Sequence, residues 1–365
     1  MLIRPVLPSP HRVIKIALLL IITWLFASVL VSLSENLSPY NPDSIVLPHD
    51  ETCATHNWKP FRQQGMTPRK VYDLVMINTE LDWLEIRLNT TWDRVDYFVV
   101  VEGRKTFTGL DKPLTLKKNL AQFEQYKSKL IYHEIEYPPS FQAKRAWDRE
   151  DLQRNAMFTQ ILPHLNGSRA PNYGDVIVVS DADEIPRPET LRLLKSCRFP
   201  RRLTLRSHFY YYSFQWRHQG GQDWPHPQAT FYQGPHRTVK PNDLRNGLGF
   251  PPTKWWDSAE KKEAAWHCSS CFGTMREMLT KMESVSHTYM NEKKYRNRTR
   301  IAERVRNGQD LWDREGEVYY RVENNSDVPG FLLYNQSMTR FPYLLSRDGV
   351  GAGFGDYDED ILPYK

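Results

Sequence analysis

Little in this chain repeats and little of it is compositionally biased. No internal repeat and no long low-complexity block runs through the 365 residues, which excludes solenoids and repeat arrays. The 49 lysines and arginines are scattered rather than gathered into a stripe, so the net charge of +6 does not point to nucleic acid as a partner. Cysteines number only four, Cys53, Cys197, Cys268 and Cys271. Zinc would need a second ligand pair at suitable spacing beside Cys268-Ser-Ser-Cys271, and the sequence has none. A redox pair would normally open a helix after a strand in a small thioredoxin-like unit. In an oxidising compartment all four are disulfide candidates, with three possible pairings.

Charge is absent from residues 16–33. Eighteen uncharged, mostly apolar residues at about 1.5 Å rise cover roughly 27 Å, close to the core of a thin bilayer. Arg4, Arg12 and Lys15 precede the run, and Glu35, Asp43, Asp50 and Glu51 follow it. The positive-inside rule then predicts a cytosolic N-terminus at 1–15, a transmembrane signal anchor at 16–33 and a lumenal remainder. A cleaved signal peptide is the alternative, with Ser32 and Ser34 as its weak small-residue site. Sequons at Asn36, Asn89, Asn166, Asn297, Asn324 and Asn335 agree with a secretory route.

What is present is a globular composition, 40% apolar and 25% charged. Residues 34–70 are polar and interrupted by proline, which predicts a stem or linker. A catalytic domain is expected over 71–345 and a mobile Gly- and Asp-rich tail over 346–365. Apolar runs predict strands at Val71–Ile77, Val95–Val101 and Val176–Val179. Helical spacing predicts helices over Glu80–Leu88, 144–162, Pro188–Lys195 and 276–307, the first with Thr79 as its cap. Strands alternating with helices imply an α/β fold: a mainly parallel sheet flanked by helices, with its site beyond the carboxyl ends of the strands.

At one such end the sequence reads Val176-Ile-Val-Val-Ser-Asp-Ala-Asp-Glu-Ile-Pro186. Asp181 and Asp183, one small residue apart, supply hard oxygen ligands suited to Mn²⁺ or Mg²⁺. A divalent ion with few protein ligands can bridge the phosphates of a nucleotide-sugar and stabilise the departing diphosphate. Two such aspartates can also cap a following helix or form a surface turn. An inverting transfer needs a group to take the acceptor proton, and the candidates are Glu184, Asp257 and His267. Arg154, on the helix before the aspartates, is placed to reach a phosphate. Trp216, Trp224 and Trp266 could stack on acceptor sugars, or belong to the core.

Five segments in order carry a family resemblance. They are Asn78–Leu88, Val95–Glu102 with Phe107-Thr-Gly109, Asp181–Pro186, Trp266–Phe272 and Phe331–Asn335. Together they resemble glycosyltransferase family 17. The resemblance implies a GT-A-like, Rossmann-related domain in a type II Golgi membrane protein. It further implies transfer of N-acetylglucosamine from UDP-N-acetylglucosamine, with Mn²⁺ favoured, to a mannose of a glycoprotein N-glycan. It makes Asp181 and Asp183 the metal ligands and puts Glu80, Arg87 and Glu102 on the donor side. Residues 217–262 depart from the family pattern, which leaves the acceptor open. A haloacid-dehalogenase-type phosphotransferase and a non-catalytic lumenal glycan-binding protein are the competing readings.

Overall fold

The computed structural model describes residues 21–25, 50–62, 68–220, 223–249, 254 and 256–357. The chain divides into two units, Met1–Leu47 and Pro48–Lys365. Of the first, only the helical residues 21–25 are described. Among the described residues no helix is long and apolar enough to cross a membrane. The fold expectation that included a transmembrane helix at 16–33 is corrected accordingly, together with the membrane partner and the Golgi type II placement that rested on it. Apart from 21–25, that expected span lies outside the described residues.

In the second unit the described strands and helices follow in chain order. They are α1 (Asp50–Ala54), β1 (Lys59–Pro60), β2 (Val71–Ile77), α2 (Leu81–Thr91), β3 (Tyr97–Glu102), α3 (Thr115–Lys118), β4 (Leu130–Glu134) and α4 (Ala146–Thr159). Then come β5 (Val176–Asp181), β6 (Glu184–Pro186), α5 (Pro188–Ser196), β7 (Cys197–Arg198), β8 (Arg202–Tyr211), β9 (Ser213–His218), β10 (Gln228–Phe231) and α6 (Pro241–Arg245). The chain continues with β11 (Ser258–Ser269), α7 (Met275–Ser284), α8 (Arg298–Arg306), β12 (Tyr319–Arg321), α9 (Asn335–Arg340) and α10 (Pro342–Leu345).

Ten strands form one sheet in the order β12-β9-β8-β10-β5-β2-β3-β4, with β11 pairing both β8 and β6. Strands β5, β2, β3 and β4 run parallel. β10 runs antiparallel to β5 and to β8, and β9 and β12 continue antiparallel. The sheet is therefore mixed, which corrects the mainly parallel expectation. From β2 to β5 each strand is joined to the next by a crossover that includes a helix, which goes with parallel pairing, and β11 also runs parallel to β8.

Alternation along the parallel strands builds a three-layer core. Val176 and Val178 point to a face shared with Leu84, Leu88, Leu191 and Leu194 of α2 and α5. Ile177 and Val179 point to the other face, against Ala156, Met157 and Phe158 of α4. Both faces are covered, so these strands read as continuous apolar runs. Each Val or Leu so withdrawn from water contributes about 1.5–3 kcal/mol.

Local signals set the helix ends. At α4 the N-cap Arg145 and Asp148 bond reciprocally, and at α7 Thr274 and Glu277 form a capping box. Thr79 is not the cap of α2; Glu80 takes that place, and its carboxylate instead accepts from the Asn78 and Thr79 amides at 2.8 and 2.9 Å. The expected helix over 276–307 is two helices, α7 and α8, with short 3₁₀ turns between them.

Segments expected to be linker and tail are tied to the domain where they are described. Cys53 is buried and disulfide-bonded to Cys197, and β1 pairs with β7. Arg69 is buried and donates to the carbonyls of Gly174, Leu194 and Cys197. Arg347, in the expected mobile tail, is fully buried and donates to the carbonyls of Tyr212, Phe272 and Ala352. Asp356 accepts from the Met275 and Arg276 amides at the start of α7. Residues 358–365 lie outside the described set.

Candidate active site

Strand β5 delivers its last residue, Asp181, to the carboxyl edge of the parallel strands. A tight turn through Ala182 and Asp183 then starts β6. Beside this turn lies a cleft of about 400 Å³, lined by Asp181, Asp183, Glu80, Arg154, Trp224, Arg245, His267 and Lys281 among others. It opens where α/β sheets place their ligands, beyond the strand ends.

Arg87 fixes the turn from beneath. Fully buried, it grips Asp73 with two hydrogen bonds of 2.6 and 2.7 Å and donates to the carbonyls of Glu184 and Asp181 at 2.7 and 3.3 Å. It also donates to the Ser180 hydroxyl. Glu184 fixes the turn from the side. Its two oxygens accept from the Asp181 amide (2.9 Å), the Trp224 indole (2.8 Å) and both terminal nitrogens of Arg245 (2.8 Å each). Burial pushes the Glu184 carboxyl up, but the Arg245 charge and hydrogen bonds outweigh it and hold the group well below the usual carboxylate range. Arg245 is pushed down by burial but raised further by Asp181 and Glu184, so it stays charged.

The two aspartates then differ. Asp181 accepts from Arg245 at 2.7 Å and from Arg154 at 3.4 Å, and its side chain is 37% exposed. Arg154 is itself held by Glu150 at 2.7 Å, whose other oxygen accepts from Ser286 at 2.6 Å. Asp183 faces the His267 Nδ1 and the Lys281 Nζ, both at 3.7 Å, too long for hydrogen bonds.

Strand β11 brings His267 to this position by pairing its Cα with Glu184 of β6 and with Phe209 of β8. The imidazole packs against the rings of Phe209 (5.1 Å) and Trp224 (4.7 Å), which also contact each other at 5.3 Å. Its Nδ1 is buried without a hydrogen-bond partner among the described residues. Cys268, next in the chain, is disulfide-bonded to Cys271, which anchors the end of β11.

Of the residues singled out from sequence, the cleft gathers Asp181, Asp183, Glu184, Glu80, Arg154, Trp224 and His267. Others stand elsewhere. Arg87 is a buried support. Glu102 is buried and accepts from the Leu116 and Lys117 amides and the Tyr132 hydroxyl, which positions the loop after β3. Trp266 neighbours His267, but strand alternation turns it to the opposite face. There it donates to Asp327 at 2.9 Å beneath the Arg187 guanidinium. Trp216 belongs to a core cluster with Ile301, Val305 and Tyr319. Asp257 precedes β11 and accepts from the Arg201 amide at 2.8 Å. Ten residues of strand, roughly 30 Å, separate it from His267.

Arg245, Lys281, Glu150 and Lys112 were not singled out from sequence. Glu150 and Arg154 at i, i+4 on one helix carried a usable signal. Arg245 carried none, because its partners lie more than sixty residues earlier.

Among the described residues no group of three or more His, Cys, Asp or Glu side chains could hold a metal ion by itself. The arrangement therefore fits a cation only with oxygens supplied by a bound ligand. The two carboxylates and the unpartnered Nδ1 converging on one turn are compatible with that partial donor set.

The model of glycosyltransferase family 17 matches residues 34–348. The chain is similar to the β-1,4-mannosyl-glycoprotein 4-β-N-acetylglucosaminyltransferases of Rattus norvegicus, Homo sapiens and Mus musculus. It is 28% identical to each over 224 residues, which cover 56% of this chain and 41% of the relative. The chain thus spans about two fifths of the length of these curated relatives. Among solved structures it is similar to a mannosyltransferase from Pyrobaculum calidifontis in complex with GDP-Man and Mn²⁺, at 11% identity and a TM-score of 0.33, over 82% of this chain and 77% of that one. The family match spans most of the chain and includes the strand-end aspartates and the cleft they face, so this chain is a glycosyltransferase that belongs to glycosyltransferase family 17.

Proposed function

We propose that the chain transfers N-acetylglucosamine from UDP-N-acetylglucosamine to a mannose of a glycoprotein N-glycan, with inversion. One observation carries the reading: Asp181 and Asp183 enter a cleft whose lining includes the cations Arg154, Arg245 and Lys281. The printed activity of the curated relatives supports the choice of sugar and acceptor.

Asp181 and Asp183 would hold a divalent cation such as Mn²⁺, which as a Lewis acid stabilises negative charge on a leaving diphosphate. The chain's own residues do the remainder. Arg154 and Lys281 border the carboxylates and are placed to bind phosphate oxygens. Arg245 is held by Glu184 and stays charged, so it keeps the cleft attractive to a di-anion. Of the three candidates for the acceptor proton, Glu184 is saturated with hydrogen bonds and Asp257 is remote. His267 is left, with an unpartnered ring nitrogen inside the cleft. Attack by the acceptor hydroxyl on the anomeric carbon, with its proton passing to His267 and UDP leaving on the opposite side, balances as one displacement.

The test is transfer by the purified full chain to a panel of N-glycans with UDP-N-acetylglucosamine and Mn²⁺, with the product linkage read by NMR. No product with any acceptor, and no donor hydrolysis, would contradict the reading.

A further inference from the structure

One buried cation in the cleft has a long ion pair but no hydrogen-bond partner among the described residues. Lys112 lines it, its side chain is 9% exposed, and its Nζ makes no hydrogen bond to the described residues. The nearest carboxylate oxygen, Glu102 Oε1, is 3.8 Å away and is already occupied by the Leu116 amide at 3.0 Å. An ammonium carries three N–H donors, and burying them unmet is costly. Burial pushes the Lys112 ammonium down, while Glu102 and Glu80 act in the opposite direction.

The position selects what could satisfy it. Lys112 stands by the end of β3, two strands from β5 in the order β5-β2-β3. At about 4.8 Å per strand that is roughly 10 Å from the aspartates, a nucleoside away from a diphosphate held there. Two carboxylates, Glu102 and Glu80, act on the same spot, which disfavours a phosphate and favours a neutral oxygen.

We propose that Lys112 donates to the 4-carbonyl oxygen of uracil and so sets the base specificity of the donor. This rests on the UDP-sugar reading above. Cytosine presents an amino group at that edge, which places donor against donor and leaves the ammonium unmet.

The test is calorimetric titration of the full chain with UDP and with CDP in Mn²⁺. It compares wild type, Lys112→Met, the paired variant Lys112→Met/Glu102→Gln, which leaves no carboxylate uncompensated, and Lys117→Met as a surface-charge control. Wild type and Lys117→Met should prefer UDP by about ten-fold or more, as sites built around a hydrogen bond do. Both Lys112 variants should bring the two nucleotides within about two-fold. The proposal is overturned if either Lys112 variant retains the preference. It is also overturned if both nucleotides weaken equally alongside a lower melting temperature, which would mark Lys112 as a counter-ion for Glu102. Wild type that binds neither nucleotide overturns the UDP reading and this inference together.

Discussion

Arg245 binds both oxygens of the fully buried Glu184 at 2.8 Å and reaches Asp181 at 2.7 Å with one of the same nitrogens. A structural ion pair and a candidate ligand for a cation are thereby linked through one side chain. Glu184→Gln removes the buried partner of Arg245, which keeps Asp181 at 2.7 Å, and should destabilise the fold by up to about 3–5 kcal/mol, the range for breaking a buried pair from one side. Glu184→Gln/Arg245→Met should recover part of that loss. Urea unfolding of wild type, Glu184→Gln, Arg245→Met and the double variant reads the coupling, and additive losses would contradict it.

His267 and Asp257 separate the cleft from the remote end of β11. His267→Ala should lower transfer about 10²–10⁴-fold if the imidazole takes the acceptor proton. Asp257→Asn should leave the rate within about two-fold, since its carboxylate holds the Arg201 amide at the far end of β11 from His267. Steady-state rates at saturating donor check both. Equal losses in the two variants would remove His267 from the mechanism.

Why Asp257 and His267 seemed equivalent in sequence is plain from the strand that carries them. Apolar runs fixed β2 at the residues expected and marked β5 through Val179, because both faces of those strands are buried and the pattern is local. The half beyond residue 200 was not legible. There β8 pairs with β11, which lies more than fifty residues later, and no local pattern encodes that partner. The same pairing decides that His267 faces the cleft and Trp266 does not. Sequence shows the alternation but not which phase points inward. Asp181 and Asp183 were legible because an apolar run ending in two carboxylates is itself a local signal.

Asp327 makes a pH prediction. Burial pushes its carboxyl up, but hydrogen bonds from His208, Trp266 and Arg187 prevail and hold it well below the usual range. A depressed folded value contributes stability that is complete above the unfolded value, about 3.9, and is lost as pH falls through the folded one. Asp327→Asn should therefore be less stable than wild type at pH 7, with the gap closing below about pH 4. Urea midpoints at pH 7, 5 and 3 give the comparison, and a gap that widens on acidification would reverse the assignment.

Cys268 and Cys271 close a loop between His267 and α7, which carries Lys281. Cys268→Ala/Cys271→Ala should lower transfer more than it lowers the melting temperature, because the short loop constrains the unfolded chain little while the cleft loses an anchor. Parallel assays of rate and thermal unfolding test this, and an unchanged rate would confine the disulfide to stability.

The central claim is that Asp181 and Asp183 hold the cation on which UDP binding depends. Calorimetry of UDP binding by the full chain, with Mn²⁺ and with the metal chelated, tests it most directly. The account predicts measurable affinity with Mn²⁺ in wild type and its loss on chelation and in Asp181→Ala and Asp183→Ala. Undiminished, Mn²⁺-dependent UDP binding by both variants would contradict it.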